Sequence, residues 1–328
     1  MISFTVAMVS RNLSEIPERV QKELIKKNVI FTAKRCDTVA QFLAIAKHAD
    51  VIWTSGANLV ILPEILPQLK QCKAILRTGS GVDDLPVKEA TRLGIWVANT
   101  PEAIAETVAE HTIALLFALA RQILFYDSQV RKGIWQLHPA SSQWHISQQT
   151  LGLVGFGLIG RHVAAKLQGF SMKTFAYDPF LSSEQIESYG VEPVSFEDLL
   201  QKSDFLSLHC PLTPETFHLI GKEEFRKIKK NAFLINTSRG SVIDEEALIS
   251  ALNKEEIAGA ALDVLEQEPP LPTSPLLHHP KVLLTPHIAA FSDLFEERFW
   301  DASLAVLFDF MEGKWQSHSV NRIHQDSE

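Results

Sequence analysis

The sequence predicts an α/β fold of two doubly wound parallel-sheet domains with an active-site cleft between them. Three observations carry this. Short apolar stretches of strand length alternate with segments of helical spacing along the chain, which is the pattern of repeated βα units. The 328 residues exceed the usual size of one domain. Residues 151–160 read Leu-Gly-Leu-Val-Gly-Phe-Gly-Leu-Ile-Gly, an apolar strand running into glycines at G-x-G-x-x-G spacing.

In order along the chain, strands are expected at 4–9, 29–32, 51–53, 74–77 and 95–97, with helices at 16–27, 39–48 and 87–93. The turn Thr78-Gly79-Ser80-Gly81-Val82-Asp83 follows the fourth strand directly. Its two glycines can turn successive N–H groups toward an anion, so Ser80, Gly81 and Val82 form a candidate carboxylate-binding loop. A plain tight turn accounts for the same residues. Thr100-Pro101 then opens a long helix expected over 102–131, which leads into the second unit.

That unit begins with the strand before Gly155 and a helix at 159–168, then a strand at 173–177. Further strands are expected at 205–208, 232–235, 259–262 and 282–284, with helices at 195–202, 222–228 and 244–253. An amphipathic helix at 291–312 is long enough to return to the first domain. The expected division is therefore a discontinuous substrate-binding domain, residues 1–100 with 288–328, and a Rossmann-like dinucleotide-binding domain, residues 101–287.

The turn Gly155, Phe156, Gly157, Leu158, Ile159, Gly160 explains the dinucleotide assignment. Gly155 permits a tight turn, Gly157 lets the backbone approach a pyrophosphate, and Gly160 lets the helix pack closely on the strand. The free N–H groups of the helix then face the anion. Asp178 ends the second strand, 18 residues past Gly160 (178 − 160 = 18). A carboxylate there suits the two ribose hydroxyls of NAD and repels the 2′-phosphate of NADP. The expected cofactor is NAD(H).

Composition excludes other classes. A net charge of −8 without a long Lys/Arg run argues against a nucleic-acid surface. Cys36, Cys72 and Cys210 are widely spaced and odd in number, which fits neither a disulfide framework nor a zinc site and points to a reducing cytoplasm. His278-His279 lacks a third ligand nearby, so no metal is expected. Residues 1–9 have no basic lead and read as a strand, not a signal peptide, and 104–120 is broken by Glu106, Glu110 and His111 and falls short of a membrane span.

Three residues at strand ends could carry chemistry: Arg239 in Asn236-Thr237-Ser238-Arg239-Gly240, Glu268 in Asp263-Val264-Leu265-Glu266-Gln267-Glu268, and His287 after Thr285-Pro286. Hydride transfer to a 2-keto acid needs a cation to grip the substrate, an acid to protonate the forming alkoxide, and a carboxylate to keep that acid's pKa high. Arg, His and Glu fill these parts. By spacing alone, any one of twelve His is as readily a surface or packing residue.

These motifs, with Gly79-Ser80-Gly81-Val82-Asp83, Val108-Ala109-Glu110-His111, His209-Cys210-Pro211-Leu212-Thr213 and Ala261-Leu262-Asp263-Val264, give a chain that resembles the D-isomer-specific 2-hydroxyacid dehydrogenase family over nearly its whole length. The resemblance implies that Arg239 binds the substrate's carboxylate and carbonyl, His287 donates the proton and Glu268 is its partner. It puts the substrate carboxylate on the backbone of Ser80, Gly81 and Val82. It places Asp263 at the nicotinamide carboxamide, Thr107 and Ser80 near the nicotinamide end, and Cys210, Pro211, Thr237 and Ser238 along the adenosine and ribose channel.

A homodimer through the nucleotide domain is also implied, with Trp135 in its arm; a buried structural Trp is the equal alternative. Leu158 stands where many relatives carry Arg, so the diphosphate would depend more on backbone N–H groups, with Arg161 as a compensating cation. Trp53-Thr54-Ser55 lacks the basic residue of phosphoglycerate dehydrogenases, which disfavours a phosphorylated substrate. The chain also resembles the C-terminal binding protein corepressors in Tyr177-Asp178-Pro179 and in 287–292. Their Trp after the His would fall at Ala290. The alternative function is thus a catalytically weak NAD(H)-sensing interaction protein.

Overall fold

A computed structural model describes residues 4–57, 60–136 and 144–323. The chain divides into two compact units, Met1–Ile104 with Ser292–Glu328, and Ala105–Phe291.

In the first unit the chain runs β1 (Phe4–Met8), α1 (Glu18–Lys26), β2 (Val29–Ala33), α2 (Val39–Ala46), β3 (Val51–Ser55), β4 (Ala74–Thr78), α3 (Val87–Arg92) and β5 (Trp96–Asn99). The sheet is parallel in the order β2-β1-β3-β4-β5. Alternate residues serve opposite faces: Val6, Met8, Trp53 and Leu76 join one core, and Ala7, Ile52, Ile75 and Val97 the other. Because both faces are covered, β3 and β4 are buried almost throughout, and each begins with a run of three apolar residues before its polar carboxyl end.

The second unit runs α4 (Ala105–Ala120), α5 (Ile123–Arg131), β6 (Thr150–Val154), α6 (Leu158–Leu167), β7 (Lys173–Tyr177), α7 (Ser183–Glu187), β8 (Glu192–Pro193), α8 (Phe196–Lys202), β9 (Phe205–Leu208), α9 (Lys222–Lys227), β10 (Phe233–Asn236), α10 (Glu245–Asn253), β11 (Gly259–Leu262) and β12 (Val282–Leu284). Its parallel sheet has the order β12-β11-β10-β9-β6-β7-β8. Strand order reverses between β6 and β9, and in such sheets ligands bind beyond the carboxyl ends at that reversal. The two-residue β8 and the short α7 are too brief to give a periodic signal.

The single helix expected over 102–131 is not formed. The carbonyl of Ala120, which a continuing helix would offer to the next turn, accepts the Trp144 N–H at 3.0 Å instead. Gln122 takes a left-handed φ of 50°, and α5 departs from α4 at 60°. No single described helix is long and apolar enough to cross a membrane.

The chain's return, α11 (Phe295–Met311), buries Phe299, Trp300, Leu304, Leu307 and Phe310 in the first unit. Trp300 meets Trp53 edge to face at 5.5 Å. A buried chain of hydrogen bonds fixes its register: Trp53 Nε1–H donates to Thr78 Oγ1 (2.8 Å), which lies 2.7 Å from Ser303 Oγ. Beyond it, Asn321 Oδ1 accepts the Val97 N–H and Asn321 Nδ2 donates to the Ile95 carbonyl, which ties the returning segment to β5.

Candidate active site

The glycine turn between β6 and α6 has the shape its spacing predicts. Gly155 has φ +87°, and a Cβ there would lie 2.8 Å from the Cys210 nitrogen. A Cβ at Gly160 would lie 2.7 Å from the Gly155 carbonyl oxygen, so the helix sits tightly against the turn. Gly157 differs: its Cβ would meet nothing within 4 Å. The open side of the turn is thus at Gly157, the N-cap of α6, where no side chain caps the helix N–H groups. Uncapped helix N–H groups beside open space are the arrangement that suits an anion such as a pyrophosphate.

Asp178, at the end of β7, faces the same turn. Its Oδ2 accepts the Phe156 N–H and its Oδ1 the Phe180 N–H, both at 2.9 Å. The carboxylate is therefore fixed in place, and each oxygen has a second lone pair for a ribose hydroxyl. Arg161 does not stand in for the cation missing at Leu158. Its Nε–H donates to the Phe156 carbonyl, and its guanidinium lies over the Tyr189 ring and donates to the Tyr189 hydroxyl. The half-exposed Leu158 leaves the pyrophosphate to the backbone.

The backbone of His209 and Cys210, after β9 and before Pro211, runs directly against Gly155. Burial holds the Cys210 thiol protonated, at about 11, and makes it a packing residue. His209 Nε2 lies 2.9 Å from Ser207 Oγ, and burial pushes its pKa down to about 4, so the ring is neutral.

Beyond the carboxyl ends of β10, β11 and β12, three adjacent strands, lie Arg239, Glu268 and His287. His287 Nδ1 lies 2.7 Å from Glu268 Oε2, and Glu268 Oε1 accepts the Leu265 N–H at 3.0 Å. The hydrogen bond to Glu268 raises the His287 pKa against its partial burial and the nearby Arg239 charge. Burial would raise the Glu268 carboxyl, but the His287 and Leu265 hydrogen bonds and the charges of His287 and Arg239 outweigh it and hold it low. With Nδ1 committed to Glu268, the Nε2 side of the half-exposed ring is left to deliver a proton. Arg239 is anchored by its own backbone: Asn236 Nδ2 donates to its carbonyl, and its Nη1–H donates to the Ser238 carbonyl. Ser238 in turn is held by Asn236 Oδ1 through both its N–H and its hydroxyl.

Asp263 has a further part that its spacing did not reveal. Its side chain is 1% exposed, with Oδ1 accepting the Thr285 hydroxyl (2.6 Å) and the Ile288 N–H (2.9 Å), and Oδ2 the Ala289 N–H (2.9 Å). These bonds clamp the segment on both sides of His287, which sits at a left-handed φ of 52° with its N–H on the Asp263 carbonyl. His111 of α4 completes the cluster, with Nε2 3.1 Å from Thr285 Oγ1 and 3.6 Å from Asp263 Oδ1. Sequence reasoning used His111 only as part of a motif. Thr237 joins the same helix through a 2.8 Å hydrogen bond to Thr112, one turn and a half beyond the partly buried Thr107.

In the first unit, the turn after β4 is pinned at its base. Gly79 has φ +113°, and it exchanges hydrogen bonds with Thr100, N–H to hydroxyl and carbonyl to N–H, both at 2.9 Å. Asn99 Nδ2 donates to the Ser80 carbonyl. Among the described residues, the N–H groups of Ser80, Gly81 and Val82 have no intramolecular acceptor. Such a row of donors suits a carboxylate.

α5 buries none of its residues, and Ile123, Leu124, Phe125 and Val130 are exposed together with Ile134 and Trp135. Trp135 is 85% exposed, which removes the alternative of a buried structural Trp.

Residues 113–289 match the D-isomer specific 2-hydroxyacid dehydrogenase NAD binding domain. The chain is 39% identical to a glyoxylate reductase of Korarchaeum cryptofilum over 322 residues, 95% of this chain and 93% of that one. It is 40% identical over 288 residues to a D-3-phosphoglycerate dehydrogenase of Synechocystis, 88% of this chain and 51% of that one. Among solved structures it is similar to D-lactate dehydrogenase from Aquifex aeolicus complexed with NAD and lactic acid, with a TM-score of 0.82, 27% identity and coverage of 96% and 98% of the two chains.

Proposed function

The chain belongs to the D-isomer-specific 2-hydroxyacid dehydrogenase family, a class of NAD-dependent enzymes, and from that premise we propose that it interconverts a small 2-keto acid and the (R)-2-hydroxy acid through Arg239, Glu268 and His287. NADH, when bound, supplies the hydride to the keto carbon. The chain's own residues do the rest. His287 Nε2 gives its proton to the carbonyl oxygen as the hydroxyl forms. Glu268 keeps that imidazole protonated and oriented. Arg239 grips the carboxylate and the carbonyl oxygen in one plane, and the N–H groups of Ser80, Gly81 and Val82 hold the carboxylate. Asp263 clamps the His287 segment at the nicotinamide end.

The observation that carries this reading is the 2.7 Å His287–Glu268 pair beside Arg239, beyond adjacent strand ends of a dinucleotide-type sheet. The anchored Asp178 supports NAD over NADP. Gly155, Phe156, Gly157, Leu158, Ile159 and Gly160 would hold the diphosphate, with Cys210, Pro211, Thr237 and Ser238 along the channel and Thr107 and Ser80 toward the nicotinamide. The exposed apolar residues of α5 and exposed Trp135 support a homodimer formed through this helix. Three buried free cysteines fit a cytoplasmic protein. A relative named glyoxylate reductase makes glyoxylate the first substrate to try.

The test is NADH oxidation with a panel of 2-keto acids, each with wild type and with His287→Ala. Turnover of at least one acid, lost in the variant while NADH still binds, is the expected result. Tight NADH binding with no turnover on any acid would overturn the reading in favour of a dinucleotide-sensing protein.

A further inference from the structure

The loop that carries Glu268 is held by side chains. Among the described residues, none from 264 to 270 makes a backbone-to-backbone hydrogen bond. Two of the loop's N–H groups go to carboxylates instead. Leu265 N–H donates to Glu268 Oε1 at 3.0 Å, which closes residues 265–268 into a ring, and Glu266 N–H donates to Glu245 Oε1 at 2.6 Å. The first bond is internal to the loop. The second ties the ring to α10, whose first residue is Glu245.

We propose that Glu245 is a positioning residue for the proton-donor pair: it holds the ring at Glu266 so that Glu268 Oε2 meets His287 Nδ1. The catalytic meaning of this role rests on the reductase reading above. Glu266 is anchored at its other end as well. Its carboxylate bonds to the His218 ring, and the His218 N–H donates to the Ser241 carbonyl at 2.8 Å, so both ends of Glu266 are tied to residues 241–245. The backbone next to Arg239 lies directly against the same ring, since a Cβ at Gly240 would run into the Leu265 carbonyl and the Glu266 nitrogen. Arg239 and Glu268 are thus set across one seam.

Electrostatics argue that the Glu245 carboxylate is there for the amide. Burial raises its pKa, and so do the charges of Glu266 and Glu268, against the hydrogen bond from Glu266. An apolar side chain would escape that repulsion and would leave the Glu266 N–H without its acceptor. Glu245 reaches His287 through the loop and not by its own charge: the charges that act on His287 are those of Glu268, Arg239 and Asp263. Glu266 and Glu268 are two residues apart, so a ring released at Glu266 takes the Glu268 carboxylate with it.

The test is titration of the His287 ring by NMR in the whole protein with NADH, its signal assigned by loss in His287→Ala. Wild type, Glu245→Ala and Glu245→Gln are compared, beside their kcat on the 2-keto acid panel. Glu245→Ala should lower the His287 midpoint and cut kcat about tenfold, the scale of one lost hydrogen bond to a charged group, with NADH affinity unchanged. Glu245→Gln keeps an acceptor oxygen and loses only the charge, so it should hold the wild-type midpoint. A merely structural role would lower the melting temperature and leave the midpoint in place. An unmoved midpoint in Glu245→Ala, or equal shifts in the two variants, would overturn the proposal. If Glu245→Ala does not fold, His218→Ala releases the other hold on Glu266, and the same midpoint decides. Failure of the reductase reading looks different: wild type reduces none of the acids, while the ring still titrates and still reports whether Glu245 holds the loop.

Discussion

His287 Nδ1 lies 2.7 Å from Glu268 Oε2, and this contact sets the direction in which the site responds to pH. The hydrogen bond to Glu268 raises the His287 pKa, while Glu268 is held low and stays ionised in the acid range. In the proposed mechanism, reduction needs protonated His287. Its kcat/KM should be high below the raised pKa and fall as pH rises through it; oxidation, which needs the neutral ring, should rise through the same pKa. Glu268→Gln removes the charge that raises the pKa, so both limbs should move to lower pH. A pH profile of kcat/KM in the two directions checks this, and limbs that stay in place in the variant would remove Glu268 from the role.

Asp178 joins an observed structural part to a proposed cofactor part. Its oxygens hold the Phe156 and Phe180 N–H groups, and the remaining lone pairs are those proposed to meet ribose hydroxyls. Asp178→Ala should weaken NADH binding on the order of 10–100-fold, the range of hydrogen bonds to a charged group. Asp178→Asn keeps one acceptor oxygen and should lie between. Fluorescence titration measures both, and equal affinity in all three proteins would deny Asp178 a cofactor role. No gain for NADPH is expected, since Arg161 is engaged with Tyr189 and brings no cation to the site.

The parts of the fold legible in the sequence are those set by local pattern. Leu151 to Val154 and the three glycines specify a strand, a turn and a helix through neighbours within ten residues, and they take that form. The break at Gln122 was not legible, because it depends on a hydrogen bond between Ala120 and Trp144, 24 residues apart (144 − 120 = 24). The site divides in the same way. Arg239, Glu268 and His287 follow predicted strands, so their place at a sheet edge could be read. The clamp of Asp263 on Thr285, Ile288 and Ala289, and the approach of His111, are long-range contacts without a periodic trace. The signal that could have found His111 was its recurrence among charged residues on an otherwise apolar helix, where a polar residue needs a partner.

Arg239 should not tolerate the conservative change. Asn236 and Ser238 fix its backbone and one guanidinium nitrogen, and the planar shape of the guanidinium is the feature proposed to grip two substrate oxygens. Arg239→Lys keeps the charge and loses that geometry. Its kcat/KM should fall on the order of 100–1000-fold, the scale seen when one oriented donor is removed from a developing oxyanion. NADH affinity should hold within severalfold. Steady-state kinetics beside NADH titration separate the two, and a variant with near-normal kcat/KM would remove Arg239 from the substrate.

The glycine turn allows the sharpest separation of fold from function. At Gly155 an added Cβ meets the Cys210 nitrogen and the His209 carbonyl carbon at 2.8 Å, and the φ of +87° is one that side chains rarely adopt. Both penalties are internal to the protein and exist without ligand. Gly155→Ala should therefore destabilise the unliganded fold, by about 1–3 kcal/mol for the strained backbone alone. At Gly157 the Cβ meets nothing within 4 Å, so Gly157→Ala should leave the unliganded melting temperature close to wild type. Its methyl would instead occupy the open cradle at the start of α6, and NADH affinity should fall at least tenfold. Thermal unfolding with and without NADH reads both effects: the Gly155 variant melts low in either state, and the Gly157 variant loses only the rise that NADH gives. If Gly157→Ala bound NADH as wild type does, the pyrophosphate would have to lie elsewhere than over this turn.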